Sequence, residues 1–88
     1  DTLDLAEAVY SHHENWDGTG YPKGLKGEEI PITGRIIAVA EVYDELTNEY
    51  GDLHFDHATA VQKIKAMAGK RFDPAIVEAF MKIKLDAN

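Results

Sequence analysis

Residues 12–22 read His12-His13-Glu14-Asn15-Trp16-Asp17-Gly18-Thr19-Gly20-Tyr21-Pro22, which brings two adjacent imidazoles, two carboxylates, two glycines and an aromatic–proline pair together. Imidazoles and carboxylates are the ligand types of metals such as iron, manganese and zinc. Glycines beside them let the backbone approach a ligand closely. The stretch therefore predicts one side of a metal-dependent active site. The histidine pair alone would be weaker evidence, because it is also typical of a surface feature or of a buried histidine.

The sequence around this stretch has the spacing of helices. Apolar Leu5, Ala8 and Val9 recur at helical intervals, which predicts a helix with His12 on its buried side and His13 about 100° further round. Apolar periodicity, together with glycine and proline positions, predicts three further helices and no extended strand. The four predicted helices cover residues 2–14, 35–49, 57–68 and 74–85.

A long loop is predicted between the first two helices, over residues 15–34. Five of the seven glycines and two of the three prolines lie in it or at its border. Loops of this length in compact domains are usually functional or disordered. Order is expected here because the loop contains residues that can pack against the helices: Trp16, Tyr21, Leu25, Ile30 and Ile32. The predicted fold is an all-α bundle of about four helices with a long ordered Gly-rich loop.

Composition and charge limit the kind of partner. The 88 residues include no cysteine, so disulfides and thiolate metal sites are excluded. Residues 1–50 hold eleven acids and three bases, a balance of −8, whereas residues 51–88 hold five acids and six bases, a balance of +1. This field disfavours duplex nucleic acid and favours a cation. No apolar run reaches the roughly 20 residues of a membrane span, and a cytoplasmic location is expected.

The whole string resembles the second half of the HD-GYP domain, a family within the HD phosphohydrolase superfamily. The resemblance implies a partial HD-domain helical bundle in which residues 1–88 are the C-terminal part, with the N-terminal half elsewhere in a longer protein. The residues that carry it are His12-His13-Glu14-x-x-Asp17-Gly18-x-Gly20-Tyr21-Pro22-x-Gly24-Leu25-x-Gly27-x-x-Ile30-Pro31, Arg35-Ile36-Ile37-Ala38-Val39-Ala40, and Phe72-Asp73-Pro74 with Val77 and Ala79-Phe80.

The resemblance implies a metal-dependent phosphodiesterase that hydrolyses the cyclic dinucleotide cyclic di-GMP to pGpG or GMP. The complete domain would hold two or three divalent metal ions, iron or manganese. By position, the implied metal ligands are His12, His13 and Glu41, and the implied substrate-binding residues are Gly20, Tyr21, Pro22, Lys23 and Arg35. The resemblance leaves the catalytic residue unknown.

The sequence departs from the family pattern at three places, and two of them, Glu41 and the absence of arginine at residues 48–52, support a second interpretation. Glu41 stands where the family usually has aspartate, and Gly34 stands where alanine is common. Residues 48–52 read Asn48-Glu49-Tyr50-Gly51-Asp52, without the arginines that resemble phosphate contacts in the family. The alternative is therefore a degenerate, non-catalytic HD-GYP-like module that serves in sensing or interaction.

Several polar residues also have ordinary structural interpretations. We expect Asp17 to order the Gly-rich loop by accepting backbone N–H bonds. Arg35 could pair with an acid such as Glu28 or Glu29, or point to the substrate. His54 and His57 are interpreted as ordinary surface residues, because neither has a carboxylate at ligand spacing.

A bundle divided between two segments should expose apolar faces that the missing helices would cover. The residues expected on those faces are Leu5, Val9, Ile36, Val39 and Tyr43. The sequence therefore predicts either self-association as a homodimer or stability only beside the N-terminal half.

Overall fold

The computed structural model describes residues 2–48 and 54–83, with side chains from residue 6 onward. Four α-helices follow in order: α1 (Thr2–Ser11), α2 (Ile32–Thr47), α3 (His57–Ala66) and α4 (Pro74–Met81). A short 3₁₀ turn, Gly27–Glu29, interrupts the loop between α1 and α2. Within the described ranges there is no β-strand, only one isolated bridge between Ala68 and Phe72. The all-α prediction with four helices is confirmed.

An aspartate side chain caps the start of α3 and another caps the start of α4. Asp56 accepts a hydrogen bond from the Thr59 N–H at 2.8 Å, and Asp73 accepts one from Ala75 N–H at 2.8 Å. Each bond satisfies an N–H that has no partner within the first helical turn. Pro74 occupies the first turn of α4, where the missing N–H costs nothing.

The first helix ends earlier than predicted. α1 stops at Ser11, so His12 and His13 lie in the following turn rather than on the helix. The Glu14 N–H closes this turn by donating to the Ser11 carbonyl at 3.0 Å. The prediction of a helix through residue 14 was wrong because it followed apolar spacing and took no account of this turn.

The second helix begins earlier than predicted, at Ile32 rather than Arg35. Gly34 is therefore a helical residue, and it lies where α1 and α2 cross. A Cβ at this position would overlap the Ser11 hydroxyl, whose oxygen is buried and donates to the Glu7 carbonyl. The glycine costs helix stability but allows the close approach of the two helices.

The core lies between α2 and the last two helices. α2 packs against α1, α3 and α4, which makes it the central helix of the described chain. The side chains of Val39, Ile64 and Phe72 are almost fully buried. The complete buried cluster consists of Ala38, Val39, Val42, Ile64, Phe72 and Val77. Val39 is only 1% exposed, so the expectation that it contributes exposed surface was wrong: it packs within this buried cluster.

A buried ion pair joins the start of α2 to the start of α4. The Arg35 guanidinium Nη1 donates to Asp73 Oδ2 at 2.8 Å, and its Nε donates to the Ile30 carbonyl at 2.8 Å. The two side chains are 15% and 5% exposed. Of the alternatives for Arg35, pairing with an acid is the one observed, and the acid is Asp73 rather than Glu28 or Glu29.

One face of α2 and α4 remains open and apolar. The side chains of Ile36 and Ile83 are about half exposed there. They border a groove of about 360 Å³ lined by Ile36, Val39, Ala40, Ile76, Ala79, Phe80 and Ile83. Val9 and Ile36 are exposed as predicted, Tyr43 is partly buried, and the Leu5 side chain lies outside the described part. No helix in the described ranges is long and apolar enough to cross a bilayer.

Candidate metal centre and substrate cleft

His12 and Glu41 meet across the α1–α2 junction. The His12 Nε2 atom lies 3.1 Å from Glu41 Oε1. The other ring nitrogen, Nδ1, lies 2.6 Å from the Val9 carbonyl oxygen. Because a carbonyl can only accept, Nδ1 must carry the proton of this bond. The Val9 contact thus fixes the ring orientation and turns Nε2 towards the carboxylate, as carbonyl groups do behind metal-binding histidines.

The facing Nε2 and Oε1 atoms need a proton or a metal ion between them. A neutral ring protonated at Nδ1 presents a lone pair at Nε2, which would repel a carboxylate lone pair. Either a second proton or a metal ion removes this conflict. Two ligands about 2.1 Å from one metal and at right angles are about 3.0 Å apart, close to the observed separation. The donor pair therefore fits a metal site.

His13 lies beside this pair but faces a different neighbour. Its ring centroid is 4.0 Å from that of His12 with a tilt of 38°, and 5.0 Å from that of Tyr21 with an angle of 18°. His13 is thus stacked on Tyr21. Among the residues that the structure describes, no group of three or more His, Asp or Glu side chains is placed to hold a metal. Two of the three implied ligands, His12 and Glu41, lie together. The metal-ligand roles of all three residues stay predictions.

Glu14 organises the Gly-rich loop from within. Its side chain is 3% exposed, and its two carboxylate oxygens accept the N–H groups of Lys23 and Leu25, each at 2.8 Å. A buried carboxylate is tolerated when backbone donors satisfy it in this way. Sequence reasoning missed this role. The available signal was a carboxylate directly before a glycine-rich loop that has many unpaired N–H groups.

Asp17 orders a smaller part of the same loop, as predicted. Its carboxylate accepts the Thr19 hydroxyl at 2.6 Å and the Thr19 N–H at 3.1 Å. These two bonds lower the pKa of Asp17 below its usual value, and the nearby charge of Lys26 acts in the same direction. The residue is exposed, and its carboxylate bonds within the local turn.

The loop is fixed to the α3–α4 connection by its backbone. Trp16 N–H donates to the Arg71 carbonyl at 3.1 Å, and Asp17 N–H donates to the Lys70 carbonyl at 2.9 Å. Trp16 is partly buried, which agrees with a packing role. Gly20 has no room for a side chain, because a Cβ would overlap the backbone of His13, Glu14 and Asn15. This close approach places Tyr21 over the His13 ring.

A polar cleft of about 280 Å³ opens beside His13. It is lined by His13, Asn15, Thr19, Gly20, Tyr21 and Arg71. Gly20 and Tyr21 were predicted as substrate-binding residues, and the cleft brings them together with the predicted ligand His13. Tyr21 is 61% exposed, so its free ring face is accessible. Arg71 was not predicted for this site.

The other predicted substrate-binding residues lie outside this cleft lining. Pro22 follows Tyr21 through a cis peptide bond and is exposed. The Lys23 ammonium lies 5.7 Å from the Tyr10 ring centroid, and Arg35 is held by Asp73. Their substrate-binding roles stay predictions.

His57 is more than an ordinary surface residue. Its Nδ1 lies 2.9 Å from the Tyr43 hydroxyl, which joins α2 to the start of α3. The interpretation of His57 as an ordinary surface residue was therefore wrong. It considered only carboxylates at ligand spacing, whereas the observed partner is a tyrosine 14 positions away. His54 is exposed, as expected.

Comparison with known proteins shows the family to which the chain belongs. The family model described as the HD domain matches residues 2–76. The chain belongs to the HD domain family. The resemblance to HD-GYP domains and the expected helical bundle are therefore confirmed.

Similar proteins carry phosphodiesterase names. The HD domain described here is 47% identical over 79 residues to a cyclic di-GMP phosphodiesterase of Vibrio cholerae, covering 89% of this chain and 16% of that protein. It is 42% identical over 80 residues to a cyclic di-GMP phosphodiesterase of Thermotoga maritima, covering 90% of this chain and 22% of that protein. The chain thus spans about a fifth of these relatives.

A solved structure has the same fold. The crystal structure of a cyclic GMP-AMP specific phosphodiesterase of V. cholerae aligns with a TM-score of 0.78 and 35% identity. The alignment covers 97% of this chain and 19% of that one. The two named substrate types, cyclic di-GMP and cyclic GMP-AMP, share a ring of two nucleotides joined by two phosphodiesters.

Proposed function

We propose that this HD domain is part of a metal-dependent phosphodiesterase of the HD-GYP type that hydrolyses cyclic di-GMP to pGpG or GMP. The observation that carries the proposal is the oriented donor pair, with His12 Nε2 facing Glu41 Oε1 at 3.1 Å and Nδ1 held by the Val9 carbonyl. The names of relatives at 42–47% identity support the substrate class.

Divalent metal ions, iron or manganese, are proposed as the cofactors, with two or three in the complete domain. His12, His13 and Glu41 would contribute this chain's ligands. Bound metal ions activate water as a nucleophile and neutralise charge that develops on phosphate oxygens. Glu41 is longer by one methylene than the usual aspartate. Its carboxylate lies 3.1 Å from His12 Nε2, which supports a ligand role for glutamate at this position.

The chain's own residues have distinct tasks in this proposal. The Val9 carbonyl holds the His12 tautomer, and Glu14 holds the loop that carries Tyr21. The exposed ring of Tyr21 offers a face on which a guanine base can stack. Gly20-Tyr21-Pro22, Lys23 and Arg35 remain the proposed substrate-binding residues. The surplus of acids in residues 1–50 means that cations must offset the charge of an anionic substrate.

We further propose that residues 1–88 form the C-terminal part of the HD-GYP domain and act in the cytoplasm beside the domain's N-terminal half. The incomplete ligand group in the described residues supports a division of the site between two segments. The acidic charge balance supports a cyclic dinucleotide rather than duplex nucleic acid as the partner.

The second candidate is a non-catalytic HD-GYP-like module for sensing or interaction. Two sequence features favour it: Glu41 replaces the usual aspartate, and residues 48–52 contain no arginine. In that case the Glu41 carboxylate would hold a protonated His12 and no metal. Metal analysis of the protein that contains this chain and its upstream segment separates the two candidates.

We expect the 88-residue chain alone to show no measurable hydrolysis of cyclic di-GMP. A partial ligand set leaves a metal weakly held, and catalysis requires the metal to be fixed. The test is hydrolysis with Mn²⁺ or Fe²⁺ by the chain alone and by the longer protein, with a chelator as control. Activity in the longer protein that the chelator removes would support the proposed function. Chelator-sensitive turnover by the chain alone would contradict the divided site.

The open α2–α4 groove predicts self-association of the isolated chain. Ile36, Phe80 and Ile83 border an apolar groove of about 360 Å³ that a second copy could cover as a two-fold homodimer. Sedimentation equilibrium should show dimers at micromolar concentration, and Ile36→Lys should shift the chain towards monomer. Lys63→Gln, at an exposed position of α3, is the control. A stable, cooperatively unfolding monomer would contradict this prediction.

A further inference from the structure

Arg71 is a basic residue that lines the cleft containing His13 and Tyr21. It is one of the six residues that line this cleft, and it comes from the short connection between α3 and α4 rather than from the Gly-rich loop. His13 also contacts the His12 ring. His13 therefore borders both the cleft and one member of the candidate metal pair.

The backbone of Arg71 is held in place. Its carbonyl accepts the Trp16 N–H at 3.1 Å, which joins it to the loop. The next residue, Phe72, is buried in the core, and the Arg71 guanidinium carbon lies 5.6 Å from the Phe72 ring centroid. This distance is within the range of a cation–π contact. The stem of the side chain is thus positioned while its N–H groups remain available.

No carboxylate in the described ranges pairs with Arg71. The ion pairs found there are His12–Glu41 and Arg35–Asp73. Glu14 and Asp73 line a small cavity together with Arg71, but both carboxylates have other partners. Glu14 accepts the N–H groups of Lys23 and Leu25, and Asp73 accepts Arg35 Nη1 and the Ala75 N–H. An exposed guanidinium has five donors in a planar fork, and without an acid partner it can bind two oxygens of a phosphate in a bidentate way.

We infer that Arg71 binds a phosphate of the substrate in the cleft between His13 and Tyr21. The inference rests on the proposed function for the identity of the substrate, while the anion site itself rests on the geometry of Arg71. It supplies a cation that the sequence lacks at residues 48–52. In this assignment, the phosphate contact comes from the α3–α4 connection and not from the acidic residues 1–50.

The test is a titration of the 88-residue chain with inorganic phosphate and, separately, with cyclic di-GMP, followed by the NMR signal of the Arg71 side-chain Nε–H group and by backbone amide shifts. Arg71→Gln should weaken binding of both probes by about 10- to 100-fold, the cost of losing charged hydrogen bonds. Arg71→Lys should recover part of the loss. Lys70→Gln removes the same charge one position away, outside the cleft lining, and should change binding by about twofold or less.

The outcomes separate the two proposals. Phosphate binding that depends on Arg71, without binding of cyclic di-GMP, would support the anion site and count against the proposed substrate. Binding of both probes that depends on Arg71 would support both. Equal effects of Arg71→Gln and Lys70→Gln, or no phosphate binding by the wild-type chain, would overturn the assignment of Arg71. Unchanged backbone spectra of the unliganded variants would show that the substitutions leave the fold intact.

Discussion

Asp73→Ala is expected to lower the free energy of unfolding by about 3–5 kcal/mol, the usual cost of removing one partner of a buried ion pair. The substitution leaves the Arg35 guanidinium, which is 15% exposed, without its carboxylate. It also removes the hydrogen bond from the Ala75 N–H at the start of α4. Urea unfolding at neutral pH, followed by circular dichroism and Trp16 fluorescence, measures the loss.

Two companion variants show whether the ion pair is the cause. Asp56→Ala removes a similar helix cap on the exposed start of α3, without an ion pair, and should cost less. The double variant Arg35→Met with Asp73→Asn should be more stable than Asp73→Ala, because it leaves no buried charge unpaired and keeps an oxygen for the cap. If Asp73→Ala and Asp56→Ala cost the same, the pair contributes nothing beyond capping.

The helices could be predicted from the sequence because each depends on local signals. Apolar spacing located all four, and the predicted starts at residues 57 and 74 match those of α3 and α4. The end of α1 could not be predicted, because Glu14 turns away to bond the N–H groups of Lys23 and Leu25. These partners are nine and eleven positions away, so helical periodicity does not indicate them.

In the candidate site too, contacts between residues that are distant in the sequence could not be predicted. His12 and Glu41 were assigned by resemblance, because apolar spacing does not show which residues of two packed segments face each other. Arg35–Asp73 spans 38 positions, so the sequence could suggest that Arg35 needs an acid but could not identify the acid. Arg71 was missed because it lies in a short connection with no motif, and only the fold places it beside Tyr21.

His12→Ala is expected to lower the metal affinity of the HD domain by at least about 100-fold, since loss of an outer-shell partner alone costs about 10- to 100-fold. It removes Nε2, which faces Glu41 at 3.1 Å. The proposed hydrolysis of cyclic di-GMP by the longer protein should fall to background. Mn²⁺ binding followed by electron paramagnetic resonance, together with hydrolysis, measures both effects. His54→Ala, at an exposed position, should change neither.

Glu41→Gln separates a metal site from a simple ion pair between Glu41 and a protonated His12. The glutamine amide can donate to the Nε2 lone pair, so the contact between the two helices survives and stability should change little. A neutral amide is a poor metal ligand compared with a carboxylate, so Mn²⁺ affinity and hydrolysis should fall nearly as far as in His12→Ala. Loss of metal with retained stability identifies Glu41 as a ligand. Retained metal binding in this variant would mean that the carboxylate serves only to hold His12.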